Sequence, residues 1–514
     1  MADFRSTSGS APEWFSTDGT FSNFEFVDTR FNSDPILRRI LSLGRKLSYK
    51  GLLIEEIRES DCALLAEENQ ALAVRLTSFR RGRAFRLSLF ANADRAAPGE
   101  FLGYAIYKQD EVAGIRVSHI YEAVIRPPRR HRQNNFVHCE RPYDVTTALG
   151  RFSVNGVLYA QQNDATFVCA HVALRTLLSS MLAAGDVSYR EINRFAGVDH
   201  ADPARRVGNG ASGLQPDQIE AVLRGFGFTP QLIVHEPSHG LPLPAHVEFQ
   251  RLLYGYLESN LPVLIGFELT PSNATGPGPR HIIPIFGHTF NEDLWVPEAE
   301  RVYFGHNPHN RTYYPSESWL SSYVGHDDNF GPYVCLPRHY LTAQSFRLLV
   351  GMLPNGTTVP PDEAEPIAFD FAAQVAATLP FSDVPWLDRF ASFCRSGLLV
   401  LRTFSLARDA YVVELRRLKD RNDLDLEPQL IDRLAAHLPE RFWVIEVSAP
   451  ELFPGSRRKF GELLVAATTN SAGGLPEVVG ARLPGVVFFV QGVAFNPERT
   501  RLTGHTDLYS YSAT

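Results

Sequence analysis

Tyr159-Ala-Gln-Gln-Asn-Asp-Ala-Thr-Phe-Val-Cys-Ala-His-Val-Ala-Leu-Arg-Thr-Leu-Leu178 is the stretch around which the chain is organised. A polar run, Gln161 to Thr166, leads into Phe167-Val168-Cys169. An Ala- and Leu-rich segment then runs to Ala184 and stops at Gly185. The pattern predicts one long buried helix with the glycine at its C′ position and Asn163, Asp164 or Thr166 as N-cap. Cys169 then falls in the first turn, where unpaired N–H groups and the positive end of the helix dipole favour an anion such as a thiolate. An arbitrary free cysteine is usually just a small buried hydrophobe. Here the upstream amides tip the balance. Gln162, with Gln161 and Asn163 as alternatives, can donate to a developing oxyanion together with the Cys169 N–H. A cysteine nucleophile also needs a base, which the rest of the chain must supply.

The chain has 514 residues, room for two to four domains, and its 44% hydrophobic and 21% charged residues are ordinary for a globular fold. A net charge of −7 argues against a nucleic-acid partner, which needs a basic face. Cys62, Cys139, Cys169, Cys335 and Cys394 are odd in number and scattered, which fits neither a disulfide framework nor a zinc ribbon. A reducing, cytoplasmic setting is expected. The N-terminus lacks the features of a signal peptide, and no apolar run is long enough to span a bilayer. The sequons at Asn273 and Asn310 then carry no meaning.

Composition divides the chain into five stretches. Residues 1–33, rich in Ser, Thr, Gly and Asp with scattered Phe, read as a flexible arm. Residues 34–145 read as a mainly β accessory domain with strands at 51–57, 71–76, 84–90, 101–107 and 117–125. Residues 146–353 read as a central domain of helices followed by strands. Residues 354–365, rich in Pro and acid, read as a linker, and residues 366–514 as a separate α+β accessory domain with strands that include 397–404 and 410–418. The expected class is α+β. No cofactor motif stands out: the Gly208–Gly213 loop lacks the preceding strand and the lysine of a phosphate loop.

The base is sought downstream. Val263-Leu-Ile-Gly-Phe267 is suited to a central strand. The Pro- and Gly-rich loop 271–280 then delivers His281-Ile-Ile-Pro-Ile-Phe-Gly287, again strand-like, with His281 at its head. Ser322 to Leu336 reads as two strands about a Gly-Pro turn, with Asp327-Asp328-Asn329 in the first. Neighbours on a strand face opposite ways, so only one of the two aspartates is expected to meet His281. Other histidines read as structural. His288 has the wrong strand parity, His171 lies round the helix from Cys169, and His138-Cys139 cannot pair along a strand. His306 and His309 lie in a polar loop.

The order of these parts resembles the papain-like cysteine peptidases, closest to bacterial members related to bacteriocin-leader-processing enzymes. The resemblance rests on Gln162-Asn163 ahead of Cys169, Gly213-Leu-Gln-Pro216, Pro262-Val-Leu-Ile-Gly266, His281 to Gly287, and Asp327 to Gly331, and covers roughly Val154 to Val350. It implies a Cys169 nucleophile, a His281 base, Asp327 or Asp328 orienting the imidazole, and Gln162 at the oxyanion. It also implies a protein or peptide substrate and no cofactor or metal. Acyl transfer to an amine and a catalytically silent binding scaffold are the alternatives.

Overall fold

The computed structural model describes residues 11–510 except 18, 77, 94–97, 129–133, 164–168, 184, 200–212, 236–246, 269–279, 291–301, 304–311, 342–344, 355, 380–382, 421–425, 454–457, 470–476, 493 and 501–508. The N-cap candidates Asp164 and Thr166, both sequons, His306 and His309 lie outside the described residues. So do most of the 208–213 and 271–280 loops and the basic connector after Pro128. The fold is mixed α+β, with several sheets.

The expected flexible arm is folded from Glu13 onward. Glu13–Ser16 pairs with Gly51–Ile57 as the edge of a five-stranded sheet that continues through Phe79–Phe90, Phe101–Val112 and Ile115–Ile125. The helix Asn23–Arg30 follows, capped by the Ser22 side chain. The scattered phenylalanines explain the order. Phe21, Phe26 and Phe31 are buried against one another, with ring centroids 5.3 Å and 5.6 Å apart. Burial worth roughly 1.5–3 kcal/mol per ring, added to the strand pairing and helix hydrogen bonds, offsets part of the entropy of ordering the segment. The helix Pro35–Lys46 starts at Asp34, whose carboxylate accepts from Leu37 N at 2.7 Å, and buries Ile36, Leu37, Ile40 and Leu41. Of residues 71–76, expected as a strand, 71–75 instead complete the helix Ala63–Arg75 and Leu76 caps it. A short apolar run does not by itself separate the two states.

The central sheet is antiparallel, in the order Gly331–Pro337, Leu320–Asp327, Arg280–Phe290, Val263–Glu268, Phe346–Leu353, Thr229–Val234. Asn134–Val137, from the region read as the N-terminal domain, pairs with the far half of Arg280–Phe290. The hairpin Arg141–Thr147/Gly150–Gly156 straddles the expected boundary at 145.

The C-terminal third shares apolar core with the central region. Helix Pro361–Thr378 begins inside the stretch expected as a linker, with Pro361 at the first helical position, where a missing N–H costs nothing. One apolar core runs from Leu253, Ile265 and Leu349 of the central region to Phe369, Leu401, Trp443 and Phe488. Thr312–Pro315 pairs in parallel with Val400–Ala407, joining central residues to an eight-stranded C-terminal sheet. Residues 410–418, expected as a strand, lie in the helix Arg408–Asp420.

Candidate active site

Cys169 is the first residue of the helix Cys169–Met181 and is half-buried. The helix ends four residues before Gly185, so that glycine, at φ +88°, belongs to the following turn rather than to its C′ position. Residues 164–168, between Asn163 and the helix, lie outside the described residues. Ala170, Ala173, Leu174, Leu177 and Leu178 form one face, packed on Leu264, Ile282, Val350 and Met352 of the central sheet. Small residues on that face let the helix lie close to the strand that carries His281.

Arg175, on the same helix, is 1% exposed. It donates to Asp186 Oδ1 at 2.9 Å, Glu122 Oε2 at 2.8 Å and the Tyr121 carbonyl at 3.1 Å. A buried guanidinium is tolerable only when paired in this way. Here it pins the Cys169 helix to the N-terminal sheet.

His281 is the second residue of Arg280–Phe290, opposite Phe267, with its ring edge-on at 5.4 Å between centroids. Its Nε2 lies 3.2 Å from Asp327 Oδ1 and 3.2 Å from Asp328 Oδ1. Cys169 lies beside the same imidazole, close enough to raise its pKa, and lines a small cavity with Asp328. The structure therefore brings Cys169, His281, Asp327 and Asp328 together.

Both aspartates reach the histidine, which departs from the expectation that only one could. The strand ends at Asp327, with a register shift between Gly325 and Asp327, and Asp328 already belongs to the turn, so strand alternation does not apply. Asp327 Oδ1 also accepts from Asn329 N at 2.8 Å and Phe330 N at 3.3 Å, an Asx-type turn that fixes the carboxylate. A single N–H cannot point at two acceptors. It serves Asp327, and both Asp328 oxygens are buried without a hydrogen-bond partner. Gly325 permits the close strand approach: a Cβ there would lie 2.4 Å from the Pro284 carbonyl oxygen.

These contacts separate the titrations. Burial pushes the His281 imidazolium down, but the Asp327 hydrogen bond, the neighbouring Cys169 and the two carboxylate charges outweigh it and carry the pKa up to about 10. Burial also works against the Asp327 carboxylate, but His281 and two backbone N–H groups hold it below its usual range. Asp328 is pushed up to about 6 by burial, His281 offsetting part of this and Asp327 adding to it.

Of the three oxyanion candidates, Gln161 Oε1 accepts from Ile120 N at 2.9 Å, and Asn163, buried, directs its amide at Glu68 Oε1 at 3.5 Å. Both are tied to the N-terminal region, and Gln162 is half-buried beside them. His171 bonds Asn193 and His288 bonds Glu258, away from Cys169, as expected of structural histidines. A cavity of ≈10 Å³, about the size of one water, lies beside Cys169, lined in part by Thr176, Ile282, His326 and Asp328. His326 was not singled out from sequence. Both its nitrogens are engaged, with the Val157 carbonyl and Tyr333 N, and burial lowers its pKa to about 3, so it stays neutral.

The N-terminal region also braces the acidic turn, which no sequence signal indicated. Arg39 donates to the carbonyls of Pro332 and Tyr333 at 3.0 and 2.9 Å, and Tyr333 Oη donates to the Ile125 carbonyl at 2.7 Å. Among the described residues two clusters have donor sets able to hold a metal ion: His281 with Asp327 and Asp328, and His138 with Glu258 and His288. No helix among the described residues is long and apolar enough to cross a membrane. No protein-family model, no curated protein and no solved structure matches the chain.

Proposed function

We propose that this chain is a cysteine peptidase of the papain-like kind, hydrolysing a peptide or isopeptide bond in a protein or peptide substrate without metal or cofactor. One observation carries the reading: Cys169, the first residue of its helix, lies beside an imidazole whose Nε2 is held 3.2 Å from a fixed carboxylate. The order of parts supports the papain-like assignment, with the nucleophile on a helix packed across an antiparallel sheet and the base and acid on adjacent strands. Five free cysteines agree with a reducing compartment, so the cytoplasm is the proposed location.

In this mechanism His281 takes the thiol proton and the thiolate attacks the amide carbonyl. The oxyanion is met by the Cys169 N–H at the helix tip and by Gln162. The imidazolium gives its proton to the leaving amine, and a thioester remains. Water, deprotonated by His281, cleaves the thioester to the acid and free thiol. Asp327 orients the ring and stabilises its cationic form, as the third member of a triad does. Asp328 adds a second negative charge at the same nitrogen.

The test is an acid quench during turnover of a peptide library, followed by mass analysis of the Cys169 peptide. A hydroxylamine-labile acyl adduct on Cys169, absent in Cys169→Ala, is expected. Adducts on Cys62 or Cys139 instead would contradict the proposal. Adding a primary amine separates hydrolysis, which gives acid alone, from acyl transfer, which gives amide. Absence of any adduct in a folded protein points to a silent scaffold.

A further inference from the structure

A second buried cluster lies where the three parts of the chain meet. His138 follows the strand Asn134–Val137, Glu258 ends the helix Val247–Glu258, and His288 is on Arg280–Phe290. Arg402, on the C-terminal strand Val400–Ala407, reaches in from the other side. His138, Glu258 and His288 are 5%, 1% and 0% exposed.

His138 Nδ1–H donates to Asn260 Oδ1 at 3.0 Å, which leaves a lone pair on Nε2. That Nε2 has no hydrogen-bond partner, although it is buried. It faces Glu258 Oε1 at 3.8 Å, so a lone pair confronts a carboxylate with no donor between them. Buried polar atoms left in this state are rare and call for an explanation. A cation in the gap would satisfy His138 Nε2, with Glu258 Oε1, which now accepts from His288 Nε2, as a second ligand.

The outer contacts are those a metal site needs. Arg402 holds Glu258 Oε2 at 2.5 Å, while Oε1 accepts from His288 Nε2 and faces the gap. Arg402 also pairs with Glu446 at 2.7 Å, so its charge is shared rather than spent on Glu258 alone. Asn260 fixes the His138 tautomer, as outer-shell partners of metal-bound imidazoles do. The two rings have centroids 5.5 Å apart. Two imidazoles on one tetrahedral zinc, with bonds of about 2.0–2.1 Å, place their centroids roughly 5 Å apart. The three candidate ligand atoms all lie within 4.8 Å of one another.

We propose that His138 Nε2, Glu258 Oε1 and His288 Nε2 form a buried site for one divalent cation of zinc's ligand preference, joining the N-terminal, central and C-terminal parts of the chain. Two imidazoles and a carboxylate suit zinc rather than calcium or magnesium, and water completes the coordination. Binding replaces the His288 Nε2–Glu258 hydrogen bond, and His288 then carries its proton on Nδ1. The proposal is independent of the reaction at Cys169.

The full-length chain is unfolded in guanidinium with a chelator, refolded with or without zinc, desalted and assayed for metal by mass spectrometry. About one equivalent of tightly held zinc and a higher unfolding temperature in the zinc-refolded protein are expected. His138→Gln should lose both effects, whereas Asp327→Asn should keep both. No bound zinc in folded wild type overturns the site, and so does zinc lost by Asp327→Asn but kept by His138→Gln. Should His138→Gln fail to fold, cobalt-refolded wild type decides. Tetrahedral d–d bands without a thiolate charge-transfer band support the proposal, and an octahedral aquo-type spectrum refutes it.

Discussion

Asp327→Asn probes the electrostatics of the candidate triad with least disturbance to its shape. The amide oxygen can still accept from His281 Nε2 and from the Asn329 and Phe330 N–H groups, so the ring keeps its place while one charge is removed. Raising His281 from 6.5 to about 10 corresponds to ~5 kcal/mol of net preference for the imidazolium. Asp327 contributes the first-ranked attraction, with Cys169 and Asp328 supplying the rest. Losing about half of that preference moves the imidazolium titration down by on the order of 1–2 pH units. The assay is the ratio of iodoacetate to iodoacetamide rates at Cys169, measured across pH by peptide mass spectrometry. An adjacent imidazolium favours the anionic reagent, so the ratio falls where His281 loses its proton. Wild type should hold its ratio until pH approaches 10, and Asp327→Asn should lose it earlier. A fall near pH 6.5 in both proteins, or no change between them, would refute the reasoning.

Other consequences follow from the same contacts. The folded state binds the His281 proton more tightly than the unfolded state, so this stability is fully present below pH 6.5 and lost as pH rises toward 10. Denaturant titration should therefore show the advantage of wild type over His281→Gln shrinking across that window, and an advantage that grows would contradict it. Asp328 has the opposite sign to an ordinary paired carboxylate. Its pKa is raised to about 6, so folding loses stability as pH rises from 3.8 through 6. Asp328→Asn should be more stable than wild type at pH 8 by about 1–3 kcal/mol, with the gain gone below pH 3.8. Arg175→Met leaves Asp186 and Glu122 without their buried cation and should cost about 3–5 kcal/mol in denaturant unfolding.

What the sequence disclosed depended on how local each signal was. Cys169 at a helix start and His281 at the head of a strand were legible, because a polar-to-apolar switch and a Pro- and Gly-rich run are punctuation within one window. The expectation that only one of Asp327 and Asp328 meets His281 fails because alternation does not continue one residue past the end of the strand. The break comes from the shift between Gly325 and Asp327, which depends on the neighbouring strand. The arm at residues 13–31 read as flexible because its phenylalanines follow no helix or strand period. They are instead spaced to meet one another. Helices Ala63–Arg75 and Arg408–Asp420 hold apolar runs too short to tell from strands. The roles of Arg175, Arg39 and the His138–Glu258–His288 cluster rest on partners far away in the chain, which no local window contains.

The central claim is that one sulfur among five is activated by His281. Its most direct measurement is the alkylation rate of each cysteine at pH 6, resolved by peptide, in wild type and His281→Gln. Cys169 should react well ahead of exposed Cys335 in wild type and drop at least tenfold in the variant while the other four hold their rates. Cys335 or Cys62 reacting first, with Cys169 indifferent to the loss of His281, would contradict the claim.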